Sequence, residues 1–209
     1  MSYSRFLPLS ALIGLLIVAT GVPSFARSDK RQSPVPPAHA KSPEPAVNDD
    51  YVHREFGDCS VLQGPPQFVG DLDGDGVEDL VIAARCKNPI ADRDEYGFQI
   101  ADPYNSFLGF GDVRVTSTFA SDEPERRGIC LLVVHGIGPD AWRAATPKAK
   151  FVLINLPFKT LAVKRLATRK KTVLGVFMEE KGEGENTSSV IFWDGKKYRY
   201  QILGADFSD

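Results

Sequence analysis

Between Gly70 and Leu80 the chain reads Gly-Asp-Leu-Asp-Gly-Asp-Gly-Val-Glu-Asp-Leu, so carboxylates fall on alternate residues at Asp71, Asp73 and Asp75 and return at Asp79. Hard oxygen donors at this density suit calcium, which takes roughly six to eight oxygen ligands in a flexible shell. Gly74 and Gly76 allow the positive φ that a sharp turn requires. Val77 can offer only its backbone carbonyl, and Asp79 would close the shell. The expected metal ligands are therefore Asp71, Asp73, Asp75, Val77 and Asp79, with Ca2+ as the cofactor. Carboxylates brought together without a counter-ion repel, whereas a divalent cation converts that repulsion into a force that orders the loop. The competing reading is an acidic, solvated turn that binds nothing.

The flanks fix what kind of loop this is. Counting Asp71 as the first position of an EF-hand loop places apolar Ile82 at the last, where a bidentate Glu is required. Gln67-Phe68-Val69 enters and Leu80-Val81-Ile82-Ala83-Ala84 leaves, short apolar runs of the kind found in buried strands. A dockerin-type module would need a second loop with helices behind each, and the sequence has neither. The stretch Phe68 to Ala84 resembles the FG-GAP/VCBS repeat, the strand-loop-strand unit of integrin-like propellers, with Asp71, Asp73, Asp75 and Asp79 on its acidic positions. The resemblance covers about one blade hairpin. It implies calcium binding inside a β-rich exported domain and implies no reaction.

Beyond that hairpin, β-forming runs alternate with turn residues: Ile129 to His135, Phe151 to Asn155, Leu161 to Leu166, Thr172 to Met178, Ser189 to Trp193 and Lys197 to Ile202. Asp194-Gly195 predicts a two-residue type I′ turn, after which Tyr198, Tyr200 and Ile202 share one face and Lys197, Arg199 and Gln201 the other. A weak internal echo aligns Lys164, Leu166, Thr168 and Thr172 with Asp71, Asp73, Asp75 and Asp79, a second copy without its cation. Its neighbours Lys170 and Lys171, with Lys164, either neutralise nearby carboxylates or form an ordinary solvated basic strand end. Two such units fall short of a closed ring, since propellers close from about four blades upward. The expected fold is mostly β, a compact antiparallel sandwich-like or partial-propeller domain carrying a strand-loop-strand calcium hairpin.

Met1 to Ala26 has the layout of a secretory signal peptide: Arg5, an apolar stretch from Phe6 to Ala19, then Ser24-Phe25-Ala26 with small residues where cleavage requires them. Residues 27–50, rich in Pro, Ser and Ala, read as a flexible linker. Residues 51–209 are long enough for a single domain with its own core. The formal charge of −2 becomes −3 once Arg5 is removed, because no other charge lies in the signal. That balance gives no reason to expect a nucleic-acid partner. No segment after the signal could cross a bilayer as a helix, and the expected location is periplasmic or extracellular.

Cys59, Cys86 and Cys130 are the only cysteines. An oxidising compartment predicts one disulfide with one thiol left over. Cys59 with Cys86 is the preferred pair, because it would tie the base of the acidic hairpin, but spacing leaves all three pairings open.

Asn88 to Gly128 is too long for a simple connection. It carries Asp92, Asp94, Glu95, Asp102, Asp112, Asp122, Glu123 and Glu125 among Tyr96, Phe98, Tyr104, Phe107 and Phe110. Tyr96 to Ile100 and Val113 to Thr116 are expected as strands, with Asp102-Pro103-Tyr104-Asn105 as a turn. Catalytic signatures are missing. His135-Gly136-Ile137-Gly138 has no Gly-x-Ser-x-Gly partner and reads as a glycine turn after a hydrogen-bonded histidine. Glu179 to Glu185 reads as a solvated hairpin tip. The expected function is thus that of an exported calcium-binding β module with a structural or binding role, its partner a protein or glycan. The alternative is a secreted hydrolase with its site in 88–128, for which Asp102, Asp112 and His135 would have to converge. Exposure of Tyr104, Phe107 and Phe110 would instead mark an adhesive surface.

Overall fold

The computed structural model describes residues 47–110, 127–168, 171–180 and 187–204. The signal segment, residues 27–46, Asp112, Val113 to Thr116, Asp122 to Glu125, Lys170 and the tip residues 181–186 lie outside them. Asn48 opens the first helix, α1 (Asp49–Phe56), by accepting the Tyr51 N–H on its side chain, and Gly57 at φ 71° ends it. The helix therefore begins two residues before Tyr51, where the domain was expected to start. Then come β1 (Cys59–Val61), β2 (Phe68–Gly70) and β3 (Asp79–Cys86). The chain continues through α2 (Pro89–Tyr96), β4 (Gln99–Ala101), α3 (Pro103–Phe107) and β5 (Ile129–His135). A 3-10 segment (Gly138–Arg143) leads to β6 (Ala149–Ile154), β7 (Thr160–Ala167), β8 (Thr172–Glu180), β9 (Thr187–Trp193) and β10 (Tyr198–Gly204).

These strands make two sheets. The first runs β1-β3-β5-β6-β4, with β2 lying on the same edge of β3 as β1. The second is the meander β10-β9-β8-β7. Pairing is antiparallel throughout except for β4 beside β6, which is parallel. The fold is thus mostly β and sandwich-like, as the alternation of strand runs and turns implies.

The near-continuous apolar character of β3, β5 and β6 has a direct cause: both faces of their sheet are covered. Leu80, Ile82, Leu132, Val134, Val152 and Ile154 face a core closed by Val52 and Phe56 of α1, Phe98 and Trp142. Val81, Ala83, Leu131, Val133, Phe151 and Leu153 face the second sheet, meeting Val176, Met178, Ile191, Tyr198 and Tyr200. Each fully buried aliphatic side chain contributes about 1.5–3 kcal/mol. The layers are consequently helix, sheet and sheet.

The insertion departs from the expected strands and turn. Asn88 accepts the Ala91 N–H and is followed by Pro89, while Asp102 accepts the Asn105 N–H and is followed by Pro103, so each pair starts a helix. Residues expected to begin a strand at Tyr96 instead end α2, and Gly97, left-handed at φ 65°, turns the chain into the shorter β4. The Asp102-to-Asn105 turn is the first turn of α3. The last hairpin also differs by one residue. Trp193 pairs with Tyr198, the turn centres on Gly195 and Lys196, and Asp194 precedes it, accepting the Lys196 and Lys197 N–H groups on its carboxylate. Tyr198 and Tyr200 are buried as the alternation requires, but Ile202 is exposed, next to a register shift between Ile202 and Gly204.

Candidate metal site

The acidic segment is a loop between two paired strands. Phe68 pairs with Val81, Val69 with Leu80 and Gly70 with Asp79, so the bend from Asp71 to Glu78 stands at the end of the β2–β3 ladder. Leu72 pins it by burying its side chain in the core between the sheets. Gly74 and Gly76 take φ values of 81° and 85°, as the turn demands.

The carboxylates shape this bend from inside. Asp71 Oδ1 accepts the N–H groups of Gly74 (2.7 Å) and Asp75 (3.0 Å), and Asp71 Oδ2 accepts that of Gly76 (3.0 Å). Asp73 Oδ1 accepts the Asp75 N–H at 3.1 Å, and Asp75 Oδ1 accepts the Val77 N–H at 2.9 Å. Asp71, Asp73 and Asp75 each bring one carboxylate oxygen into a group within 4.8 Å of one another, which could hold a metal ion. Val77 is partly buried beside the helix-side core.

Asp79 is placed differently from the other three. Fully buried at the start of β3, it accepts the Leu72 and Asp73 N–H groups on Oδ2 at 2.8 and 3.2 Å and the Gly136 N–H on Oδ1 at 2.8 Å. Burial pushes its carboxyl up to about 6, against the pull of those backbone donors. Asp79 thereby clips the acidic loop to the turn that follows β5. Gly136 permits this clip by close approach, since a Cβ there would lie 2.2 Å from the Glu78 carbonyl oxygen.

A second group, Asp73, Asp79 and His135, also gathers its donor atoms within 4.8 Å. His135 ends β5 and is buried. Its Nε2 lies 2.6 Å from the Tyr198 hydroxyl, and its Nδ1 lies 3.4 Å from Asp73 Oδ2. Phe151, Trp193 and Tyr198 rings enclose the imidazole at centroid distances of 5.0, 5.1 and 5.8 Å. Burial pulls the imidazole below its usual value, with Asp73 opposing. Burial, with the Asp79 and Asp73 charges, lifts the Tyr198 hydroxyl well above its own. A protonated Tyr198 donates to Nε2, which assigns the imidazole proton to Nδ1, facing Asp73.

Lys148, immediately before β6, closes the site from the solvent side. Its Nζ lies 2.7 Å from Asp73 Oδ2 and 2.6 Å from Asp75 Oδ2. Those bonds hold Asp75 below the usual carboxylate range and lift Lys148 above the ordinary lysine value. Lys171 approaches as well, its Nζ lying 2.9 Å from where a Cβ on Gly74 would stand. No local pattern marks Lys148. It reaches the loop because β6 pairs His135 with Ala149, a long-range register absent from the linear sequence.

Other expected features fall elsewhere. Asp102 caps α3 and accepts from the Asn105 and Asn155 side-chain amides. His135 faces the acidic loop instead, and Asp112 lies outside the described residues. Cys59 and Cys86 form a disulfide, with Cys130 left as a buried thiol. Tyr104 and Phe107 pack on Tyr200, while Phe107, Leu108 and Phe110 remain exposed. Among the described residues no helix is long and apolar enough to cross a membrane. No protein-family model, curated protein or solved structure matches this chain.

Proposed function

We propose that this chain is an exported β module whose Asp71-to-Asp79 loop binds calcium, and that the ion serves to rigidify the loop rather than to drive a reaction. The supporting observation is the convergence of Asp71, Asp73 and Asp75 oxygens on a loop already shaped by its own carboxylates. The donor set fits a hard cation. Its members are oxygens, and the one nearby nitrogen ligand among the described residues, His135, is engaged by Tyr198 and Asp73.

In this reading Asp71, Asp73 and Asp75 hold the ion, with the Val77 carbonyl as a further donor. Asp71 Oδ1 already accepts two N–H groups, but Asp71 Oδ2, Asp73 Oδ1 and Asp75 Oδ1 accept one each and keep a second lone pair for a metal, so the loop's internal bonds leave an oxygen available on all three aspartates. Asp79 adds negative charge from below and keeps the loop tied to the β5 turn. Lys148 would yield Asp73 Oδ2 and Asp75 Oδ2 on metal entry. When bound, calcium supplies only charge neutralisation and cross-linking. Export is supported by the signal-like segment Met1 to Ala26 and by the Cys59–Cys86 disulfide.

Extracellular modules bind calcium at about 10⁻⁴ to 10⁻³ M, so the site would be filled constitutively outside the cell. The stabilisation expected at a few-fold to ten-fold saturation is about 1–1.5 kcal/mol. The test is thermal unfolding of the purified domain with calcium, with magnesium and with chelator. The midpoint should fall on chelation, and Asp73→Ala should abolish that response. A curve indifferent to chelator would end this reading.

A binding role is favoured by one separate observation, the exposure of Phe107, which packs on Tyr200 of β10, at 49 % and of Phe110 at 68 %. Such side chains suit a protein or glycan partner.

A further inference from the structure

The three cysteines lie together on the helix-facing side of the first sheet, in a row that crosses three strands. Cys59 of β1 is directly opposite Cys86 of β3 and bonded to it. Cys130 of β5 pairs with Ala84, so it stands diagonally across from Cys86 on the other side of β3. Its Sγ is 3.2 Å from Cys86 Sγ. All three residues belong to the buried core on that face.

Two further features hold this approach in place. The Cys86 N–H donates to the Gly128 carbonyl at 2.9 Å, fastening the end of β3 to the start of β5. Gly128 must be glycine for that fit, because a Cβ there would lie 2.5 Å from the Cys86 carbonyl oxygen. The Cys130 thiol also has an acceptor 3.6 Å away in the Ala84 carbonyl. With its hydrogen directed there, a sulfur lone pair is left to face Cys86.

We propose that Cys86 is a shared sulfur with two disulfide states, Cys59–Cys86 and Cys86–Cys130, interconverted by thiol–disulfide exchange within the folded chain. Cys130 gives its proton to hydroxide from solvent, and the thiolate sulfur attacks Cys86 Sγ. The Cys86–Cys130 bond forms as the Cys59–Cys86 bond breaks, and Cys59 departs as a thiolate that takes up a proton. One disulfide and one thiol stand on each side, so the step needs no external oxidant or reductant.

The two states differ in what they tie. Cys59–Cys86 closes a ring of sequence separation 27 that encloses β2 and the acidic loop, and it fastens edge strand β1 to β3. Cys86–Cys130 would instead join two strands already paired from Leu80–Val134 to Arg85–Ile129. Exchange therefore releases β1 and the helix α1 before it from their covalent anchor while the centre of the sheet keeps its own. The attacking thiol is deeply buried, and burial raises it far above the ordinary cysteine range. The reaction is accordingly slow near neutrality and accelerates with pH, roughly tenfold per unit while the thiolate remains a small fraction.

The test uses the oxidised wild-type protein. It is incubated folded at about pH 7 and about pH 9, where thiolate fractions differ, then quenched in acid, unfolded, blocked with N-ethylmaleimide and digested without reductant. The label should begin on Cys130 and move to Cys59 with time, faster at the higher pH, with a matching Cys86–Cys130 peptide and no Cys59–Cys130 peptide. Label confined to Cys130 at every time and pH overturns the proposal, as does Cys59–Cys130 in place of Cys86–Cys130. Folded Cys59→Ser, confirmed by circular dichroism, should close Cys86–Cys130 in glutathione buffer and lose both free thiols. Two thiols persisting there would also overturn it.

Discussion

His135 Nε2 lies 2.6 Å from the Tyr198 hydroxyl oxygen, and this contact joins the end of β5 in one sheet to the start of β10 in the other. It runs through an apolar core between the sheets, where a polar group is tolerated only when paired. From His135 the chain of contacts continues through Nδ1 to Asp73 and on to the Lys148 ammonium at the surface. The candidate metal loop is thus tied to both layers of the sandwich.

Removing both members of this pair should therefore cost less than the two single removals added together. Tyr198→Phe deletes the hydroxyl and leaves the buried Nε2 without its partner, for an expected loss of about 1–3 kcal/mol. His135→Phe strands the Tyr198 hydroxyl in the same way. Chemical denaturation of both single variants and the double variant gives the coupling directly. The double variant should be less destabilised than the sum of the singles, and simple additivity would contradict the pairing.

Two glycines separate close approach from backbone conformation. At Gly136 a Cβ would collide with the Glu78 carbonyl oxygen and the Ala141 backbone, neither of which can swing aside. Gly136→Ala should cost at least about 3 kcal/mol, because backbone must move and the Asp79 clip with it. Gly195 has φ 99° with open space around it, so Gly195→Ala should cost only about 1 kcal/mol through the conformation alone. Urea midpoints of the two variants make the comparison, and equal losses would argue against crowding at Gly136.

Lys148 is the loop's internal counter-ion, and its removal should change the response to calcium. Its side chain is 43 % exposed, so solvent screening holds each ion pair to under about 1 kcal/mol. Lys148→Met should therefore lower stability modestly in chelator. The rise in melting midpoint on adding calcium should become larger than in wild type, because no ammonium competes for Asp73 and Asp75. A variant whose calcium response matches wild type would show that Lys148 and the metal do not share those oxygens.

The hairpin around the acidic loop was legible because its signals are local. Alternating aspartates, two turn glycines and the apolar run Leu80 to Ala84 each act within a few residues, and β2, the bend and β3 follow. The β-rich sandwich was legible for the same reason. Helices α2 and α3 are less legible, because the β-forming run from Tyr96 to Ile100 points to a strand and Asp102-Pro103-Tyr104-Asn105 to a turn, while the capping signals that start the helices lie in Asn88-Pro89 and Asp102-Pro103. The distinct place of Asp79 and the roles of Lys148 and Tyr198 depend on pairings across many residues. Nothing near Lys148 in the chain says that β6 will set it above Asp73.

Asp79 and His135 pull pH dependence in opposite directions, and a variant can separate them. The buried Asp79 carboxyl is raised to about 6, so in chelator its stabilising contribution is full below about 4, near the unfolded value, and is lost as pH rises through about 6. That displacement corresponds to about 3 kcal/mol. His135 is lowered, so its contribution is present above the unfolded histidine value and is lost as pH falls through the depressed folded one. Asp75, also lowered, loses its contribution only as pH falls through the carboxylate range. Asp79→Asn removes the first contribution and leaves those of His135 and Asp75. In chelator, the stability of wild type minus that of Asp79→Asn should decline between about pH 4 and about pH 7. Saturating calcium favours the ionised carboxylate and should flatten that decline. A difference that stays level in chelator would mean that Asp79 is not displaced upward by its burial.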